Sequence, residues 1–190
     1  MIHAPCEQHR PGPAARTAAR LGGRIPVLDT RRLQLRGPRI YDFGAYASIL
    51  CSDRATHMGG PFTRAAAWGR FTESTACWLL HGHGLWTIDA VNTPSAGFAV
   101  LGFDHGDMEP ALCVCLTANA EGQGLATEAL TAARGHAFDT LGWDSVRSCV
   151  APVNTRGVAM MDRIGAARDT TAESALADGT LVYRHMREAA

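Results

Sequence analysis

Hydrophobic and polar positions change period several times along the chain, and each change marks an element. Residues 30–36 alternate, with Leu33 and Leu35 set between Arg32, Gln34 and Arg36, which predicts a half-buried first strand. A short helix is expected over 42–51. Residues 64–80 place Ala67, Trp68, Phe71, Thr75 and Trp78 along one side of a second helix, a spacing that predicts burial of that side. Strands follow at 85–89 and 97–103, joined by a turn at Asn92, Thr93, Pro94 and Ser95. The apolar run 111–116 is short enough for a further strand. Beyond it an Ala- and Leu-rich stretch reaches Leu141 at helical spacing, 144–151 reads as a strand, 154–166 as a helix stopped by Gly165, and 167–186 as two strands about a turn at Asp178 and Gly179. The order β-α-α-β-β-β-α-β-α-β-β predicts an α/β (α+β) fold. Its sheet is mixed, antiparallel early and parallel only where the helix after Gly124 crosses over.

Between the 111–116 strand and its helix stands Glu121-Gly122-Gln123-Gly124-Leu125-Ala126-Thr127. The first N–H groups of a helix have no internal partner and lie at the positive end of its dipole, so such a start binds phosphate. Glycines there let an anion approach the main chain and let the backbone take positive φ. The same turn can also serve as an ordinary helix cap. A dinucleotide-binding domain would carry its glycines in the first β-α turn, whereas here they follow roughly four strands, which argues against that cofactor.

Length and composition narrow the classes. A chain of 190 residues is expected to form one domain that buries roughly 70% of its unfolded surface. Eighteen basic residues balance 18 acidic ones, which gives no nucleic-acid footprint. All the basic side chains are Arg. Cys6, Cys51, Cys77, Cys113, Cys115 and Cys149 show no paired C-x-x-C spacing, so zinc is not expected, nor any other metal at His81 or His83. Cys113 and Cys115 fall on one face of their strand and read as small buried hydrophobes. Free thiols fit a reducing, cytoplasmic setting. No stretch approaches the roughly 20 apolar residues of a membrane span, so no membrane partner is expected. Residues 1–29, rich in Pro, Ala, Gly and Arg, read as a flexible or loosely docked arm ahead of a domain over 30–190. Arg10, Arg16, Arg20 and Arg24 lie at near-helical spacing within it.

The succession of strand, glycine turn, helix, strand, Asn-led helix and glycine resembles the GNAT superfamily of acetyl-CoA-dependent N-acetyltransferases. Within it, the branch of the ribosomal-protein N-terminal acetyltransferases is the nearest in pattern. The matching residues are Gly122 to Ala129 and Asn154 to Gly165, and the likeness spans residues 29–187. It implies a mixed, centrally splayed sheet of about seven strands flanked by about four helices. It also implies acetyl transfer from acetyl-CoA, as co-substrate, to a primary amine on a small molecule or a protein N-terminus, and it leaves a homodimer open as the assembly.

By the same resemblance, pyrophosphate would rest on the N–H groups of Gln123, Gly124, Leu125, Ala126 and Thr127, with Gly122 part of the same loop. The pantetheine arm would bond like an extra strand to the main chain around Cys115, Leu116 and Thr117. Asn154 would hold the pantetheine or sulfur end, or else cap the helix that follows. Attack by an amine needs a base, and the family pattern points to Glu109, with His105 and Asp107 behind it. Two positions depart from the family. Met161 stands where many members carry a Tyr that protonates the leaving thiolate, and Glu121 stands where an Arg or Gln opens the loop. A non-catalytic acyl-CoA-binding or regulatory protein of the same fold is the alternative these departures leave open.

Overall fold

Alternation sorts the side chains of one sheet onto two faces, and each face meets its own helices. In the computed structural model, which describes residues 4–103, 106–176 and 178–187, eight strands form the order β1-β2-β3-β4-β5-β6-β8-β7. They are β1 (Leu28–Asp29), β2 (Leu33–Arg36), β3 (Leu85–Ala90), β4 (Thr93–Gly102), β5 (Ala111–Leu116), β6 (Ser145–Val150), β7 (Ala167–Arg168) and β8 (Leu181–Met186). Every neighbouring pair is antiparallel except β5 with β6.

Along β3 the consequence is plain: Leu85 faces one core and Trp86 and Ile88 the other, all fully buried. Leu85 joins Phe43, Tyr46, Phe71 and Phe98 under α2 (Phe43–Leu50) and α3 (Arg64–Leu80), where Tyr46 meets Phe98 edge-on at 4.9 Å. Trp86 and Ile88 join Leu101, Leu130, Val146 and Tyr183 beneath α4 (Leu125–Gly135). The α3 stripe behaves as its spacing predicts: Ala67 and Phe71 are buried, and Trp78 donates from Nε1 to the Leu85 carbonyl at 2.8 Å.

A charge network fastens α2 to the sheet. Arg36 bonds both Asp42 oxygens at 2.8 and 3.0 Å and both Asp89 oxygens at 2.6 and 3.1 Å. Asp42 also accepts from the Arg39 N–H, the Thr87 hydroxyl and the Ser95 hydroxyl. Burial opposes its charge, but Arg36 and these donors outweigh burial and hold the carboxyl below its ordinary range. Asp89 takes the Ser95 N–H at 2.8 Å while Ser95 sits at φ 50°, so the carboxylates shape the start of β4 as well.

Five sequence expectations change, the first being that Cys113 is exposed and Cys115 half-buried, against the burial expected of both. Strand β4 begins at Thr93, so the hairpin turn is only Val91 and Asn92, the latter at φ 61°. The helix after Gly124 ends as a π turn over His136–Thr140. Residues 167–186 hold a further helix, α6 (Thr170–Leu176), between β7 and β8, because Asp169 caps it by accepting the Ala172 N–H at 2.9 Å. Finally, the sheet starts at Leu28, two residues ahead of the expected domain boundary. The preceding stretch carries α1 (Pro13–Gly22), none of whose residues is buried. Elsewhere that stretch touches the domain through Glu7 on Arg64 at 2.8 Å and through the Pro26 carbonyl, which accepts from Trp86 Nε1 at 2.9 Å. Among the described residues no helix is long and apolar enough to cross a membrane.

Candidate functional site

The site originates in one incomplete pairing. Strands β5 and β6 share a single ladder position, Ala111 with Arg147, whereas β4–β5 and β6–β8 each share six. At the point of divergence Ser148 Oγ donates to the Leu112 carbonyl at 2.6 Å, and its oxygen accepts from His185 Nε2 at 3.0 Å. Burial pushes the His185 imidazole down to about 4, so it stays neutral. Beyond this wedge the strands part.

Register decides which main-chain groups face the gap. The Thr117 N–H and hydroxyl both donate to the Ala96 carbonyl, at 2.9 and 3.0 Å, and in an antiparallel ladder the groups of Cys115 face β4 in the same way. The groups of Val114 and Leu116 therefore point towards β6 and lack a strand partner there. The expected extra-strand contact around Cys115, Leu116 and Thr117 thus narrows to Val114 and Leu116. Cys115 presents its side chain to the cleft, with burial holding the thiol protonated well above its usual range.

At the end of β5 the chain enters the glycine loop. Gly122 and Gly124 take φ 74° and 75°, a region that L side chains rarely adopt, and Gly124 caps α4 with no side-chain bond to the helix. The N–H groups of Leu125, Ala126 and Thr127 are thereby left for an anion. Glu128 anchors this start, accepting from Thr30 Oγ1 at 2.6 Å, the Arg32 N–H at 2.9 Å and Arg32 Nε at 2.7 Å. Arg32 also donates to the Gln123 carbonyl at 2.8 Å, and the Gln123 amide donates to the Asn119 carbonyl. Gln123 is thus turned into the loop's own frame and does not line the cleft.

The cleft has a volume of about 780 Å³. Its lining brings together Cys115, Leu116, Gly122, Gly124, Leu125, Ala126, Thr127 and Asn154 from the sequence-predicted set, and omits Thr117, Gln123 and Glu109. The Asn154 side-chain oxygen Oδ1 accepts the Gly157 N–H at 3.0 Å and so caps α5 (Thr155–Arg163), while the residue still borders the cleft. Gly157 is required for that approach, since a Cβ there would stand 2.8 Å from Asn154 Nδ2. The loop's Glu121 is neutralised by Arg54, to which it is ion-paired, and by Arg156 at 2.8 Å. These arginines come from the 3-10 helix Asp53–Met58 and from α5, and both border the cleft. Sequence reading missed Arg54, Arg156 and Val114.

Glu109 sits before β5, on the closed side of the divergence, bonded to Arg184 at 2.5 and 3.2 Å. That guanidinium holds its carboxyl below the usual carboxylate range. Asp107 is likewise ion-paired, with Arg147. His105 lies outside the described residues. Met161 is buried in the core rather than facing the cleft, which its neighbour Met160 borders. Among the described residues, no three His, Cys, Asp or Glu side chains converge to hold a metal ion.

A gap at one strand edge, a helix start without a side-chain cap, and Arg54, Arg156 and Arg163 all border one cleft. The family model for the acetyltransferase (GNAT) domain matches residues 32–167. An acetyltransferase from Agrobacterium tumefaciens str. C58 is 35% identical, with a TM-score of 0.76 over 86% of this chain and 95% of its own. Two more distant structures share the fold. Mycobacterium smegmatis RimJ, in complex with CoA-disulfide, is 17% identical, with a TM-score of 0.65 over 86% of this chain and 88% of its own. The microcin C7 self-immunity acetyltransferase MccE, in complex with acetyl-CoA and AMP, is 16% identical, with a TM-score of 0.65 over 83% and 94%. A comparison with proteins of curated function gave no match.

Proposed function

Because the chain belongs to the GNAT acetyltransferase family, we propose that it moves an acetyl group from acetyl-CoA to a primary amine by direct attack. The observation that carries this reading is the partnerless edge of Val114 and Leu116 running into the bare start of α4. Bound acetyl-CoA would supply the activated thioester. Leu125, Ala126 and Thr127 would hold its pyrophosphate through their N–H groups. Val114 and Leu116 would orient its amide-bearing arm as a strand neighbour, and a main-chain N–H of the same edge would polarise the carbonyl under attack. Met161 is buried and no tyrosine is among the described residues that line the cleft, and a thiolate whose ordinary pKa is about 8.5 can take its proton from water. No two of the six cysteines are joined in a disulfide, which supports a reducing compartment such as the cytoplasm.

The test is thermal unfolding with and without acetyl-CoA, followed by release of CoA thiol over a panel of amines. Ligand at 100 times its dissociation constant adds roughly 2.7 kcal/mol, a rise in Tm on the order of 5–10 °C for this length. An equal response to NADH, or none to millimolar acetyl-CoA, would refute the cofactor. The buried Met161 favours one second reading: tight acetyl-CoA binding without turnover on any amine would mark a non-catalytic acyl-CoA-binding protein.

A further inference from the structure

We infer that Glu73 receives the acceptor's ammonium group and takes its proton, in a small cavity adjoining the acetyl-CoA cleft. This rests on the acetyltransferase reading and gives it an acceptor end. Six glutamates lie among the described residues, and five are engaged: Glu7 with Arg64, Glu109 with Arg184, Glu121 with Arg54 and Arg156, Glu128 with Arg32, and Glu173 with Arg168. Glu73, exposed on α3, is alone among the six in having no side-chain hydrogen bond or ion pair. A carboxylate left without a cation lines a cavity of about 60 Å³ between α3 and the sheet.

Position links that cavity to the chemistry. Its lining includes Cys77 from α3, Val100 from β4, and Ala111 and Cys113 from β5. Cys113 shares a face of β5 with Cys115, two residues on, and Cys115 borders the acetyl-CoA cleft. One such step along a strand is about 7 Å, so the cavity opens one side chain away from the cleft on the same face. Close packing keeps it narrow. Gly84 brings the start of β3 so near α3 that a Cβ there would lie 2.5 Å from the Ser74 carbonyl. A space of this size suits an aminomethyl end, not a whole acceptor, with Val100 and the cysteines against its methylenes and Glu73 against its charge. The acceptor class is therefore a slim, unbranched primary amine carried as its cation.

The proton balance closes with the groups present. The Glu73 carboxylate accepts one proton from the ammonium, and the freed nitrogen pair forms the C–N bond to the acetyl carbonyl carbon. The C–S bond breaks with its electrons on sulfur. Nitrogen gives up its second proton, through water, to that sulfur, and Glu73 returns the first to solvent. The products are the N-acetylated amine, CoA thiol and one proton.

The experiment compares wild type, Glu73→Gln and Glu73→Asp in three measurements: acetyl-CoA affinity, calorimetric binding of n-alkylamines, Ala- and Gly-starting peptides and an aminoglycoside to the CoA-loaded protein, and kcat/KM with each amine. Expected are unchanged acetyl-CoA affinity, a fall of 10²–10⁴-fold in kcat/KM for Glu73→Gln with loss of the ascending limb of the pH profile, and partial recovery in Glu73→Asp. Wild-type turnover that Glu73→Gln leaves within threefold overturns the inference and leaves the acetyltransferase reading standing. Glu73-dependent amine binding without turnover keeps the ammonium site but removes both the proton-transfer role and the enzyme reading. Acetyl-CoA binding with no amine bound by any variant overturns the inference, and the enzyme reading fails separately if turnover is also absent.

Discussion

Arg184 grips Glu109 with both terminal nitrogens, at 2.5 and 3.2 Å, and holds Asp169 at 2.8 Å with the same guanidinium. A carboxylate so bound has its charge partnered and its proton affinity lowered, which ill suits it to drawing a proton from an amine. Glu109→Gln should therefore act mainly on stability. Both partners are partly exposed, so the loss is at most about 1 kcal/mol. A fall of 10²–10⁴-fold in kcat/KM at unchanged Tm would make Glu109 the base after all.

Gly124→Val places a β-branched residue at φ 75° in the anion-binding turn. Acetyl-CoA affinity should drop tenfold or more, about 1.4 kcal/mol, in a protein that still folds. Calorimetry on the folded variant is the check. Unaltered binding would reduce the turn to a helix cap.

Glu121 occupies two arginines that border the cleft. Removing its charge should leave Arg54 and Arg156 to the phosphates, so Glu121→Gln is expected to tighten CoA binding several-fold at low salt, with the gain fading as ionic strength screens it. Weaker binding in the variant would mean instead that Glu121 serves to aim the arginines.

His185 gives the fold a defined acid sensitivity. Its pKa is about 4 when folded against an ordinary 6.5, so the unfolded chain binds the proton first as pH falls. The contribution is complete above 6.5, is lost between 6.5 and about 4, and amounts to about 3 kcal/mol. Denaturant titrations of wild type and His185→Gln across that window should converge towards low pH. Parallel curves would show that the imidazole does not govern the slope.

Asp42 acts in a lower window. Its folded pKa lies below the ordinary 3.8, so its stabilisation is present above that value and is lost as pH falls beneath it. Asp42→Ala leaves Arg36 with Asp89 as its one carboxylate partner in a buried setting and should cost about 3–5 kcal/mol, measured by chemical denaturation near pH 7. A loss under 1 kcal/mol would mean that water replaces the carboxylate.

What could be read ahead of the structure was local. The glycine turn, the α3 stripe and the 111–116 strand each declare themselves within a dozen residues, and they carry the loop side of the site. What could not be read depends on distant partners or on parity. Arg54 and Arg156 reach Glu121 from 67 and 35 residues away, and no spacing rule connects them. Whether Cys115 or its neighbours Val114 and Leu116 face the gap turns on the β4 register, which shifts every assignment when it moves by one. Helix α6 was missed because seven residues hold too few turns to show a period. The Arg184 clamp on Glu109 joins positions 75 apart, so an acidic residue in a family-like place looked free when it is not.

The lone Ala111–Arg147 pairing also has a mechanical meaning. Strands β1–β5 and β6–β8 are two plates that share one ladder position, with Ser148 on the Leu112 carbonyl, Arg184 on Glu109, the Arg147–Asp107 ion pair and the apolar core beneath α4 as their other ties. A chain pulled by its two ends would load that seam in series, because the first plate belongs to the N-terminal side and β8 lies close to the C-terminus. A guest lying between Val114 and β6 would therefore add a fastening to a seam that has one ladder position where its neighbours have six.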